Sequence, residues 1–261
     1  MRRSKVVQCF RENRVVRMCA LGHFHPPFIR HAAHYGFDCI WFDLEHRAMD
    51  PRELQSLLAF GHLADIDIMV RTGIRDANML YRFLEDGASG LMLPLISTKE
   101  QAEERVQAAK FPPIGNRGVD AAGLDSDFYL QGGENFAEEA NRETFLIAQI
   151  ETIEGVRNAE AIASVEGIDG LFLGWGDLGL RVKLDPDVNW SCDEAAELVA
   201  AAARAQGKQW GAVTLEPEMM KKRHEQGALL LPCVGEFMAI LNALKNKSLE
   251  LDEMFGERPC G

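Results

Sequence analysis

No run in this chain approaches the roughly 18 consecutive apolar residues that a membrane-crossing helix needs, so no membrane span is expected. No CxxC pair occurs either. The six cysteines (Cys9, Cys19, Cys39, Cys192, Cys233 and Cys260) follow no metal-type spacing, and several lie inside apolar runs where a thiol behaves as a small hydrophobe. Positive charge is scarce: 28 Lys and Arg stand against 40 Asp and Glu, a formal net charge of −12. That balance argues against a nucleic-acid surface and against an anionic-membrane binder. An anionic substrate held by local positive charge remains compatible with it. The N-terminal segment MRRSKVVQCFRENRVVRM is basic and lacks the apolar run of a signal peptide. Repeats, low-complexity tracts and linkers are missing too. A cytoplasmic chain with reduced thiols is expected.

What is present is a regular alternation. The chain has 261 residues, 47% of them apolar, enough for one full core. Candidate strands are Val15–Leu21, Cys39–Asp43, Ile66–Arg71, Gly90–Leu93, Thr144–Ile150, Gly170–Leu173, Lys208–Val213 and Ala228–Leu231. Helical patterns lie between them at Arg52–His62, Ala77–Glu85, Lys99–Ala109, Val156–Ser164, Asp193–Gln206, Pro217–Gln226 and Glu236–Lys245. Pro51 and Pro217 suit the first helical turn, and Gly87, Gly167, Gly207 and Gly227 suit left-handed caps. Eight such units predict an α/β fold, a closed (β/α)8 TIM barrel spanning residues 1–261 as one domain. One irregular stretch, Pro112 to Asn141, reads as a long loop with a short helix near Asn135–Asn141, placed to cover the active site or to make subunit contacts.

In such a barrel the strand exits gather at one face, and chemistry is expected there. Glu151 ends one strand and Asp177 follows the next, so the two carboxylates are placed to share a hard divalent cation while leaving positions open for substrate. Asp43-Leu44-Glu45-His46 leaves the second strand, Arg71 ends the third and Pro94 follows the fourth. A lone His or Arg is usually structural. Asp43 three residues before His46 suggests a carboxylate that orients a general base, and Arg71 at a strand exit suggests a clamp for a developing oxyanion. Gly176 permits a tight turn or a close approach of backbone amides to a carboxylate.

The landmarks GFDCIWFDLEH (Gly36–His46), Arg71, EDGASGLMLPLIST (Glu85–Thr98), KFPPIGNRGV (Lys110–Val119), QIETIEGV (Gln149–Val156) and VEGIDGLFLGWGDL (Val165–Leu178) occur in order. Together they resemble the HpcH/HpaI type of metal-dependent class II pyruvate aldolase, from about Leu21 to Lys245. The resemblance implies a barrel of the phosphoenolpyruvate/pyruvate-binding type and a carbon–carbon lyase. Such an enzyme cleaves 4-hydroxy-2-oxo acids to pyruvate and an aldehyde through a pyruvate enolate, with Mg²⁺, Mn²⁺ or Co²⁺ as cofactor. It implies Glu151 and Asp177 as metal ligands, Arg71 on the enolate oxygen, and His46 with Asp43 as the acid–base dyad. The amides of Gly176 and Asp177 would receive the substrate carboxylate, with Gln149 beside the metal and Glu85 at a supporting or subunit-contact position. It also implies a homo-oligomer, commonly a hexamer, in which the C-terminal helix packs on a neighbouring subunit. Its alternatives are a related 2-oxo-acid lyase or condensing synthase, and more remotely a silent binding barrel. Trp175, Gly179 and Arg181 depart from the family pattern, and Trp175 and Arg181 are expected to reshape the rim that holds the aldehyde.

Overall fold

The computed structural model describes residues 1–73 and 79–256. All eight expected runs form strands: β1 (Val16–Leu21), β2 (Cys39–Asp43), β3 (Asp67–Arg71), β4 (Gly90–Leu93), β5 (Phe145–Ile150), β6 (Gly170–Leu173), β7 (Gln209–Ala212) and β8 (Leu230–Gly235). Each pairs in parallel with the next, and β8 pairs with β1 to close the barrel.

Strand side chains divide between two cores. Val16, Met18, Cys39, Trp41, Met69, Met92, Phe145, Ile147 and Phe172 fill the barrel interior. The intervening Ile40, Phe42, Ile68, Val70, Leu91, Leu146, Ala148 and Leu171 pack beneath the helices. With both faces covered, the strands read as near-continuous apolar runs rather than as alternating ones. The interior series then climbs two residues at a time, from Trp41 to Asp43, from Met69 to Arg71, and from Ile147 to Gln149 and Glu151. Polar side chains therefore replace apolar ones at the C-terminal mouth, and Asp67 does so at the opposite end, below Met69.

The helices are α1 (Lys5–Arg11), α2 (Pro26–His34), α3 (Pro51–Ala64), α4 (Leu80–Glu85), α5 (Lys99–Ala109), α6 (Phe136–Glu143), α7 (Ile153–Arg157), α8 (Ala159–Ala163), α9 (Trp175–Leu184), α10 (Cys192–Ala205), α11 (Pro217–Glu225) and α12 (Glu236–Phe255). Capping boxes start α3 (Asp50 with Glu53), α5 (Thr98 with Gln101) and α10 (Ser191 with Glu194). The glycines at 87, 167, 207 and 227 all have positive φ, as a left-handed cap requires. The helix expected over Val156–Ser164 forms as two pieces, α7 and α8. Asn158 stands at the junction and donates from Nδ2 to the carbonyl of Ser97 at 2.8 Å. The first two residues of the helix expected at Ala77–Glu85, and Cys260, lie outside the described residues.

Three helices were not anticipated: α1, α2 and α9. α1 closes the N-terminal end of the barrel, where Val6, Val7 and Cys9 enter the interior core. Fully buried Asp67, at the start of β3, anchors it by accepting from Ser4 Oγ at 2.6 Å, from Val6 N at 2.9 Å and from Arg2. The Pro112–Asn141 insertion lies at that same end, a correction to the expectation that it covers the active site. Its Leu124 packs on Gly87, and Asp125 borders a hollow shared with Ser4 and Ser89. The reason is topological: the insertion follows α5, and a helix-to-strand connection emerges where strands begin.

Candidate active site

The residues at the mouth are held by one another before any ligand enters. Arg71 is 9% exposed and donates from Nε to Asp43 Oδ1 at 3.0 Å and from Nη2 to Asp43 Oδ2 at 2.7 Å. Its Nη1 lies 3.3 Å from Glu45 Oε2, and its guanidinium carbon sits 4.9 Å from the Trp41 ring centroid. This bidentate, stacked setting fixes the guanidinium plane, and among the described residues an N–H on each of Nη1 and Nη2 has no further partner. Burial alone would raise the Asp43 carboxyl. Arg71, with the backbone N–H groups of His46 and Glu45, instead holds it below the usual carboxylate range.

That arrangement differs from the expected side-chain dyad. Asp43 is taken up by Arg71 and meets His46 only through the backbone N–H of His46, at 3.3 Å. The carboxylate beside the imidazole is Glu45, whose Oε2 is 3.7 Å from His46 Nε2. The imidazole itself is more than half exposed at the edge of the cavity. Spacing along the chain could not separate the two carboxylates, because both flank the same turn.

Glu151 is 2% exposed, and each of its oxygens has a fixed partner. Oε1 accepts from the backbone N–H of Leu95 at 2.8 Å, and Oε2 accepts from Gln149 Nε2 at 2.8 Å. Leu95 adopts φ = 57°, unusual for a side chain branched at Cγ, so local strain is spent on aiming that N–H. Gly174 completes the seat, since a Cβ there would come within 2.6 Å of Glu151 Oε2. Burial first, then the like charges of Glu45 and Asp177, push the Glu151 carboxyl up to about 7.

Asp177 lies in the first turn of α9, exposed at the rim. The first bond inside α9 runs from Leu178 N to the carbonyl of Gly174, and no side chain caps the helix. The amides of Trp175, Gly176 and Asp177 thus have no helical acceptor, the arrangement that draws anions to helix starts. Arg181, expected at the rim, reaches back and donates from Nε to the backbone carbonyl of Glu151 at 3.2 Å. Glu85 is not with this set: its carbonyl abuts Gly123 of the insertion.

A cavity of about 590 Å³ brings together His46, Arg71, Gln149, Glu151, Gly176 and Asp177. Asp43 lies behind Arg71 and lines an adjoining hollow of about 200 Å³. The donor set suits a hard divalent cation. Glu151 and Asp177 crowd negative charge, and the buried Oε1 of Gln149 has no hydrogen-bond partner. Among the described residues no cluster of three or more His, Cys, Asp or Glu stands in coordinating position. A cation here would take two protein carboxylates and draw its remaining ligands from substrate and water. Glu45, Leu95, Trp41 and Phe172 were given no part from sequence, whereas Trp175 was expected at the rim. Only the loop position of Glu45, two residues past Asp43, hinted at its part.

A sequence model of the HpcH/HpaI aldolase/citrate lyase family matches residues 17–233. A 2-dehydro-3,6-dideoxy-6-sulfogluconate aldolase of Pseudomonas putida is 32% identical over 219 residues, covering 82% of this chain and 83% of its own. A hydroxypyruvate/pyruvate aldolase of Roseobacter denitrificans is 29% identical over 81% of this chain and 82% of its own. The crystal structure of an HpcH/HpaI aldolase from Desulfitobacterium hafniense superimposes with a TM-score of 0.86 at 29% identity, covering 97% of this chain and 98% of that one.

Proposed function

We propose, since this chain belongs to the HpcH/HpaI aldolase/citrate lyase family, that it cleaves 4-hydroxy-2-oxo acids to pyruvate and an aldehyde with a divalent metal ion. Membership makes it a carbon–carbon lyase. The observation that carries the finer reading is the meeting of the Arg71 guanidinium, the His46 imidazole and the Glu151–Asp177 pair in a single cavity at the barrel mouth.

A divalent cation held by Glu151 and Asp177 would supply Lewis-acid polarisation of the keto oxygen. The chain's own residues do the rest. The substrate carboxylate sits against the amides of Gly176 and Asp177 at the start of α9. Arg71, locked by Asp43 and Trp41, donates to the keto oxygen as negative charge gathers there. Gln149 Nε2 holds the Glu151 carboxylate in one orientation. His46 Nε2 takes the proton of the C4 hydroxyl, with Glu45 as its neighbouring carboxylate. The C3–C4 bond then breaks, its electron pair passes into the enolate, and C4 leaves as the aldehyde. Protonation of the enolate at C3 gives pyruvate.

The test is pyruvate release from a panel of 4-hydroxy-2-oxo acids, in EDTA and after adding back Mg²⁺, Mn²⁺ or Co²⁺. Cleavage that EDTA abolishes and metal restores is expected. Failure to release pyruvate from any member with metal present would sink the reading.

The chain is further read as one domain that works as a homo-oligomer in the cytoplasm. Support for the oligomer comes from α12: of its 20 residues only Glu236 is buried, and Phe237, Ile240, Leu241, Leu244 and Phe255 are all exposed. All five described cysteines are free thiols, in keeping with a reducing compartment.

A further inference from the structure

Away from its charged residues the cavity is walled by hydrocarbon. Trp41, Phe172, Trp175, Val213, Leu215 and Met219 line it. Two charged residues stand at that wall: Glu216, exposed at its outer edge, and Arg223, which is 1% exposed and donates to Asp193 Oδ1 at 2.7 Å and to Gln226 Oε1 at 2.9 Å. Val213 and Leu215, by contrast, are 47% and 56% exposed, apolar surface facing a ligand-sized space.

The position of the Trp175 indole depends on a second residue. Gly179 lies one helical turn later on α9, where i and i+4 side chains share a face. A Cβ at Gly179 would stand 3.0 Å from Cε2, 3.1 Å from Nε1 and 3.3 Å from Cζ2 of Trp175. Those separations are tighter than ordinary contact. The bare glycine backbone is what lets the ring lie along the helix and form a wall.

We propose that the aldehyde half of the substrate carries an apolar substituent, aromatic or branched aliphatic, and that Trp175 seated on Gly179 is the residue pair that selects it. The inference rests on the pyruvate-enolate reading of the same site and adds the class of its second substrate. A polyhydroxylated aldehyde has Glu216 alone to accept from it at the outer edge, and the hydroxyls laid against Trp41, Phe172 and Trp175 would go unpaired, a cost that water does not impose. A hydrocarbon substituent leaves water for contact with the two indoles and gains by doing so.

The experiment uses the metal-loaded enzyme and two readouts. The first is exchange of the pyruvate methyl protons in D₂O, which needs enolate formation and no aldehyde. The second is kcat/KM for aldol addition of pyruvate to 3-phenylpropanal and 3-methylbutanal against glycolaldehyde and glyceraldehyde, in wild type, Gly179→Ser and Trp175→Ala. The wild type is expected to exchange protons and to favour the apolar aldehydes by about tenfold or more, the discrimination a single pocket contact supplies. Both substitutions are expected to lower that ratio, because one lifts the ring and the other removes it. Comparing ratios between proteins cancels the intrinsic reactivity of each aldehyde. Proton exchange with equal or better use of glyceraldehyde, or a ratio unmoved in both variants, would overturn the proposal. Absence of exchange in the wild type would overturn the enolate reading and this inference with it.

Discussion

Glu151 carries the sharpest consequence of the site's electrostatics. Its folded pKa of about 7 lies above the ordinary 4.5, so the folded state holds the proton more tightly than the unfolded chain does. Stability from this group is fully present below the unfolded value and is lost as pH rises through about 7. Scanning calorimetry in EDTA is therefore expected to show a melting temperature that declines across that window, and Glu151→Gln should flatten the decline. Mg²⁺ competes with the same proton, so the melting temperature it adds should be larger above pH 7 than below. A metal effect independent of pH would count against Glu151 as a ligand. Asp43 and His46 make a second case. Asp43→Asn weakens the clamp on Arg71, so kcat/KM for pyruvate release should fall by roughly 10²-fold or more, while the pH profile keeps its shape. His46→Ala should lose most cleavage and retain metal affinity by titration calorimetry. A changed ionisation limb in Asp43→Asn would restore the Asp43–His46 dyad.

Between residue and barrel stand the short connections that aim each group. Leu95 and Gly174 come from the exits of β4 and β6, yet both act on the carboxylate that ends β5. Gly174→Ala puts a methyl 2.6 Å from Glu151 Oε2. The expected outcome is a metal affinity lower by roughly 10–100-fold, the usual cost of disturbing a ligand's support, with circular dichroism unchanged. Wild-type affinity in this variant would show that the carboxylate does not need its present seat. The helices obey simpler rules. Asp50 caps α3 through Arg52 N at 2.9 Å, and Asp50→Ala should cost about 1 kcal/mol by urea unfolding. No effect on the urea midpoint would mean that tertiary packing alone holds the helix start. The first-turn prolines and the capping glycines were readable because capping is local. The placement of Leu95 was not, because its φ of 57° answers to a partner 56 positions away.

Across the molecule, the barrel's two ends have different work. α1 and the 112–141 insertion seal the end where strands begin, and the other end is left to the site. α12 then projects an apolar surface that its own barrel does not cover. Leu241→Glu should shift the protein to a smaller species in light scattering coupled to size exclusion. A wild-type monomer, or an unchanged mass in the variant, would remove α12 from assembly.

Strand number, helix caps and the list of mouth residues were legible along the chain, because each depends on neighbours within a few positions or on which residue ends a strand. The strand runs at Cys39–Asp43 and Gly90–Leu93 match the observed elements to the residue. α1 was hidden because its seven residues, KVVQCFR, carry no clear helical period of their own and gain order from buried Asp67. That Asp43 binds Arg71 bidentately, while Glu45 reaches both Arg71 and His46, was equally hidden. Both Asp43 and Glu45 are close enough along the chain to do either. Pairing of β2 with β3 brings Asp43 level with Arg71 in their parallel register. A pairing between adjacent strands is set by register, and register exists only once the sheet has formed.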